Sequence, residues 1–140
     1  MPCLPQLLAK KEGGISHVAS IAGLQPMPYM AVYAATKAFV ISFSEALAGE
    51  CQDRGLTILA LCPGSTDTSF SKVAGAESKE MPAMDAYTVA RQGLHAFSQK
   101  RSFKITGFAN YMIGVLPRLF TRKASLAIVK AMFKDKVKLY

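Results

Sequence analysis

Histidine, cysteine and acid are scarce in this chain, and each scarcity removes a class of function. Only two of the 140 residues are histidine and three are cysteine. Cys3, Cys51 and Cys62 are odd in number and lack metal-ligand spacing, and His17 has no second histidine or acidic cluster near it. Neither zinc coordination nor a disulfide framework is expected, and no metal site is assigned. The cysteines read as buried, inert thiols of a reducing, cytoplasmic compartment. Internal repeats, low-complexity linkers and long polar tracts are also missing, which leaves one folded domain, 51% apolar. The stretch from Met1 to Leu8 is short and has no basic leader, so no secretory signal is expected. The apolar run from Phe108 to Phe120 is too short to span a bilayer, and Pro117 interrupts it.

Acid is missing above all from the end of the chain. Residues 1–100 hold eight Lys/Arg and eight Asp/Glu, whereas residues 101–140 hold nine Lys/Arg and only Asp135. The whole net charge of +8 therefore sits in the last forty residues. Nucleic acid is not the expected partner, because the interleaved aromatic and glycine pattern of an RNA-binding sheet is absent. A basic, partly apolar tail at residues 108–140 fits an anionic membrane surface or a protein partner, and a solvated helix face has the same composition.

What is present is concentrated between Gly13 and Lys37, read as GGISHVASIAGLQPMPYMAVYAATK. Gly14 to Ala19 reads as a buried strand that ends in Ser20. A loop broken by Pro26 and Pro28 follows, then a helix from about Tyr29 or Met30 to Asp53. A hydroxyl delivered at the C-terminal end of a strand lies where open α/β sheets place their sites. Tyr33 and Lys37, four residues apart, share a helix face. A tyrosine hydroxyl ionises near pH ~10, and a neighbouring ammonium favours the phenolate. A serine hydroxyl can donate to a carbonyl oxygen as charge develops there. Taken singly these residues have ordinary readings: a Tyr/Lys pair on a solvated helix, and a strand-end serine satisfied by backbone.

In combination they are specific. VASIAG, then Tyr33-Ala34-Ala35-Thr36-Lys37 thirteen residues beyond Ser20, then Leu61-Cys62-Pro63-Gly64 after a second strand, resembles the short-chain dehydrogenase/reductase family. The resemblance runs from about Leu4 to the 130s. It implies an α/β fold, the C-terminal portion of a doubly wound, Rossmann-like parallel sheet with flanking helices. It also implies an NAD(P)(H)-dependent oxidoreductase interconverting a ketone or aldehyde and an alcohol, with NADP slightly preferred over NAD. Ser20 would position the substrate oxygen, Tyr33 would be the acid/base and touch both cofactor and substrate, and Lys37 would bind the nicotinamide ribose and lower the Tyr33 pKa. Pro63 and Gly64 would lie along the nicotinamide, Thr68 would contact carboxamide or pyrophosphate, and Ser65 and Thr66 would add contacts. Gly23, Leu24, Gln25 and Met27 would line the substrate pocket. Ala31, Ala34, Ala35, Ala38, Phe39, Ser42 and Ala46 line one side of the Tyr33/Lys37 helix, where the resemblance implies a homodimer face and packing on the sheet has the same pattern.

The remaining elements follow from periodicity and breakers. Leu4 to Lys11 reads as the end of an amphipathic helix stopped by Gly13-Gly14. Leu56 to Leu61 reads as a buried parallel strand after Arg54-Gly55. Ser69 to Met84 is a candidate substrate lid. Asp85 caps a helix to about Lys100, with Ala86, Val89, Ala90, Leu94 and Phe97 inward and His95 on the solvent side. Ser102 to Thr106 reads as a last strand ended by Gly107. Thr121 caps a final helix to about Lys134, with Ala124, Ile128, Val129, Met132 and Phe133 on its buried or partner-facing stripe.

One further absence bears on the cofactor. No Gly-x-Gly spacing follows an early strand, so the Gly-rich element that holds a pyrophosphate at a helix N-terminus is not in these residues. In the family that element precedes the strand at Gly14. The chain therefore reads as the catalytic half of a reductase, an N-terminally truncated fragment. By itself it is expected to bind cofactor weakly, or to act without catalysis through oligomerisation or its basic C-terminal region.

Overall fold

The structure, a computed structural model, describes residues 4–69 and 83–133, apart from the side chains of Arg118, Met132 and Phe133. Cys3, most of the expected lid and the end of the last helix lie outside the described residues.

Strand β2 (Thr57–Cys62) organises the rest, and its sequence explains why. TILALC is apolar without interruption apart from Thr57, and every residue in it is buried. A strand of that kind needs cover on both faces. Ile58 faces one side, where it packs with Leu47 and Cys51 of helix α2 (Ala31–Cys51). Leu59 and Leu61 face the other, against Val89 and Ala96 of α3 (Ala86–Ser98). Full burial of a side chain such as Leu59 contributes about 1.5–3 kcal/mol. The flanking strands are β1 (Gly14–Val18) and β5 (Phe103–Ile105), and the parallel sheet has the order β1-β2-β5. Among the described residues β1 pairs only with β2, so its outer edge is open, with Ser16 and Val18 exposed.

Helix α1 (Leu4–Lys10) packs Leu4, Leu7 and Leu8 under the start of β2. Helix α2 begins at Ala31, later than expected, because Tyr29 adopts a left-handed conformation (φ 71°) that a helix cannot include. It ends at Cys51, a 3₁₀ turn covers Gln52–Arg54, and Gly55 (φ 78°) turns the chain into β2. By length and composition residues 31–54 could cross a bilayer, yet Ile41, Leu47 and Cys51 pack on the sheet. The small stripe on α2 splits: Ala34 is buried, while Ala31, Ala35, Ala38, Ser42 and Ala46 are exposed together with Phe39 and Phe43.

Asp85 caps α3, its carboxylate accepting from the Thr88 N–H at 2.8 Å, as the sequence indicates. The inward face differs from expectation: Leu94 and Ala90 are exposed, and Gly93 lies inward against Leu61, where a Cβ would crowd that side chain. A two-residue parallel pair, β3 (Thr66–Asp67) with β4 (Met84–Asp85), joins the two ends of the expected lid. After β5 come α4 (Phe108–Val115), a 3₁₀ turn through Pro117, and α5 (Arg122–Phe133). Thr121 caps α5 through the Ala124 N–H. The buried stripe of α5 carries Ser125 and Val129, while Ile128 is exposed.

Candidate active site

Strands β1 and β2 are parallel, so their C-terminal ends meet at one edge of the sheet. The Ala19 N–H donates to the Leu61 carbonyl (2.7 Å) and the Ile21 N–H to the Pro63 carbonyl (3.0 Å). These two bonds hold the segment around Ser20 beside the Pro63-Gly64 turn. Ser20 is buried, and its hydroxyl oxygen accepts from the Ala22 N–H at 3.1 Å, capping a 3₁₀ turn over Ile21–Leu24. That contact fixes the oxygen and leaves the hydroxyl hydrogen to donate.

Tyr33 and Lys37 sit one turn apart on α2. The Lys37 ammonium donates to the Val18 carbonyl at 3.0 Å, across from its own helix, and lies 5.7 Å from the centre of the Tyr33 ring. Tyr33 packs against a cluster of Ala22, Met27, Ala34 and Val129. Ser20, through its neighbour Ala22, thus shares a locale with Tyr33 and Lys37. Gly23 explains how the pieces come so close: a Cβ there would lie 2.6 Å from the Lys37 carbonyl carbon and 2.7 Å from the Ala38 nitrogen. Its role is close approach of loop and helix, and its Cβ position faces α2 rather than open space.

The other expected pocket residues divide. Leu24 packs toward β1, β2 and α4, filling the space where a Cβ on Gly114 would stand. Gln25 is half-buried, and its Oε1 atom is buried without a hydrogen-bond partner among the described residues. In the turn after β2, Pro63, Gly64 and Thr66 are partly covered and Ser65 and Thr68 are exposed. The Thr66 hydroxyl donates to the Gly64 carbonyl at 3.1 Å. Asn110 is a residue the sequence reading missed. Its side-chain amide occupies the place where a Cβ on Gly64 would stand, and its Nδ2 donates to the Thr106 carbonyl at 2.8 Å. No motif marks it, and only the fold brings it to the turn.

Cys62 closes β2 directly beneath this edge. Burial pushes its thiol up from an ordinary 9.0 to about 12, and the Glu45 carboxylate adds to the shift. The Ser20 N–H and the Lys37 ammonium oppose it. Because the folded thiol ionises later than the unfolded one, its contribution to stability is complete below pH 9.0 and is lost as pH rises toward about 12. At neutral pH a disulfide reagent should modify Cys62 at least about a hundredfold more slowly in the folded chain than in denaturant. Peptide mapping showing equal rates would contradict this placement. Among the described residues no group of three or more His, Cys, Asp or Glu is gathered to hold a metal.

Comparison with known proteins shows the family and the fold. Residues 2–79 match the family model described as short chain dehydrogenase, and the chain belongs to that family. It is 30% identical over 115 residues to a very-long-chain 3-oxoacyl-CoA reductase of Anas platyrhynchos, covering 81% of this chain and 36% of that protein. It is 39% identical over 69 residues to the 17-beta-hydroxysteroid dehydrogenase type 3 of Mus musculus, covering 49% of this chain and 23% of that one. A short-chain dehydrogenase from Burkholderia cenocepacia, solved with NADP, superimposes with a TM-score of 0.73 at 22% identity, over 89% of this chain and 50% of that chain. One from Sphingobium yanoikuyae, solved with NADPH, gives 0.69 at 24% identity over 97% and 50%. The fold is thus a Rossmann-type α/β arrangement, and the chain spans well under two thirds of each of these relatives.

Proposed function

We propose that this chain is the catalytic portion of an NAD(P)(H)-dependent oxidoreductase that interconverts a carbonyl and an alcohol. The observation that carries the reading is the grouping of Ser20, fixed by Ala22 at the end of β1, with Tyr33 and an anchored Lys37 on α2. Ser20 holds the substrate oxygen by hydrogen bond. Tyr33 gives or takes the proton at that oxygen. Lys37 keeps a positive charge beside the Tyr33 ring and would hold a ribose.

The residues present fit the nicotinamide end of a dinucleotide. Gly64 has its side-chain space filled by Asn110, and hydroxyls line the exposed side of the turn at Ser65 and Thr68. Lys37, Pro63, Gly64, Ser65, Thr66 and Thr68 would hold that end, and a bound nicotinamide supplies or accepts the hydride. NADP is the cofactor we favour over NAD. The neighbours solved with NADPH and NADP support that choice, and a 3-oxoacyl-[acyl-carrier protein] reductase from Brucella melitensis solved with NAD marks the alternative.

The substrate is a small, hydrophobic carbonyl compound. Leu24, Met27, Met30 and Val129 give the site apolar surroundings, and α4 and α5 close over them. Gln25, whose buried Oε1 has no hydrogen-bond partner among the described residues, would offer the substrate one acceptor. Acyl thioester and steroid ketones, the classes named in the relatives above, are the first to test. Purified protein that includes a dinucleotide-binding half should oxidise NADPH with some member of such a panel. A protein that binds NADPH tightly and turns over none of them would refute the reading.

A second reading, a non-catalytic chain acting by association, has support from the open edge of β1 and the exposed Phe39 and Phe43 on α2. We assign α2 as a homo-oligomer face in either case, in a reducing, cytoplasmic setting. The 140 residues alone should then sediment as an oligomer and bind NADPH far more weakly than micromolar. Micromolar binding by a monomer would exclude the second reading.

A further inference from the structure

We infer that α4, the turn after it and α5 form a surface that docks on an anionic lipid bilayer. Ordinary amphipathicity is inverted on α4. Its covered side carries Gly114, against Leu24 and Ile105, and Val115. Its solvent side carries Phe108, Tyr111 and Met112 at helical spacing, continued past the helix by Leu116, Leu119 and Phe120. Phe108 and Leu119 are 80% and 78% exposed, values at which such side chains normally have a partner.

The charge beside this face selects the partner. Arg122, Lys123 and Lys130 are exposed on α5, which the Ser125 hydroxyl ties to the Pro117 carbonyl of the turn, and no acidic residue occurs between Arg101 and Phe133. A second copy of the chain would bring the same cations against themselves across a two-fold axis, so self-association through this face is opposed. A bilayer of anionic lipid accepts both features at once: apolar rings enter the headgroup boundary, and long cationic side chains reach back to the phosphates. It also needs no groove. Recesses lined by Tyr87 and Leu94 and by Leu8 and Arg54 lie elsewhere. The other sides of α4 and α5 contact Leu24 and the Tyr33 cluster, so docking would set the candidate site about one helix diameter, ~10 Å, from the lipid.

Co-sedimentation of the 140-residue chain with sonicated vesicles tests this. Vesicles of phosphatidylcholine with one quarter phosphatidylserine should bind it at least about tenfold more tightly than phosphatidylcholine alone, and added salt should weaken the binding. The double variant Leu119→Ser/Phe120→Ser keeps every charge and should lose about tenfold or more, with an unchanged circular dichroism spectrum. Arg122→Gln/Lys123→Gln should remove the lipid selectivity. Equal binding by the serine variant would reduce the interaction to charge adsorption and overturn the docking surface. So would absence of binding to either vesicle, or a vesicle-free oligomer that the serine variant dissolves.

Discussion

Replacing Tyr33 with phenylalanine should lower the rate of carbonyl reduction about a hundredfold to ten-thousandfold, the range that general acid–base groups supply. The measurement belongs in a polypeptide that also carries a dinucleotide-binding half. The fold should be unaffected, because the ring of Tyr33 supplies its packing against Ala22, Met27 and Val129 and phenylalanine keeps that ring. Lys37 would still donate to Val18, so the cation stays in place without the hydroxyl it serves. If the variant keeps full turnover, Tyr33 is not the proton carrier and the mechanism given above is wrong.

The second large effect is expected from Gly23→Ala, far milder in chemistry and harsher in space. The new methyl would stand 2.6 Å from the Lys37 carbonyl carbon and 2.9 Å from the Ile41 Cδ1. Helix backbone cannot yield as a side chain can, so the loop and α2 must separate. Overpacking of this kind costs about 1–3 kcal/mol. Displacing Lys37 and Tyr33 by an ångström should also cost about a hundredfold in rate. Gly49→Ala on the same helix is the control, because nothing lies within 4 Å of its Cβ position. It should leave activity unchanged and stability equal or slightly higher. Comparable losses in both variants, measured by thermal melts and turnover, would mean that helix composition rather than the loop contact governs the site.

The parts of this molecule that were legible in sequence are those set by short-range rules. Apolar character marked β2 as a buried parallel strand, Asp85 and Thr121 marked helix starts, and Arg54-Gly55 marked the break before β2. Ser20, Tyr33 and Lys37 could be picked out because their spacing fits a strand end followed by one helix face. The contacts that support them could not. Asn110 reaches Gly64 only after α3 and β5 have folded between them, and Val129 reaches Tyr33 from still further along the chain. Periodicity also misassigned faces where the chain departs from the usual inward rule. Leu94 was expected inside because it is apolar, yet Gly93 lies inward against Leu61. On α4 the apolar residues face solvent, and that is the observation from which the docking surface is inferred.

Isotope tracing tests the central assignment most directly. Protein carrying this chain, a dinucleotide-binding half and NADPH deuterated at both nicotinamide C4 positions would be given a ketone, and the alcohol examined by mass spectrometry. Direct hydride transfer at a site built by Ser20, Tyr33 and Lys37 predicts deuterium on the carbinol carbon and a proton from solvent on its oxygen. An alcohol with no deuterium at that carbon would contradict it, and the grouping of these three residues would then need another explanation.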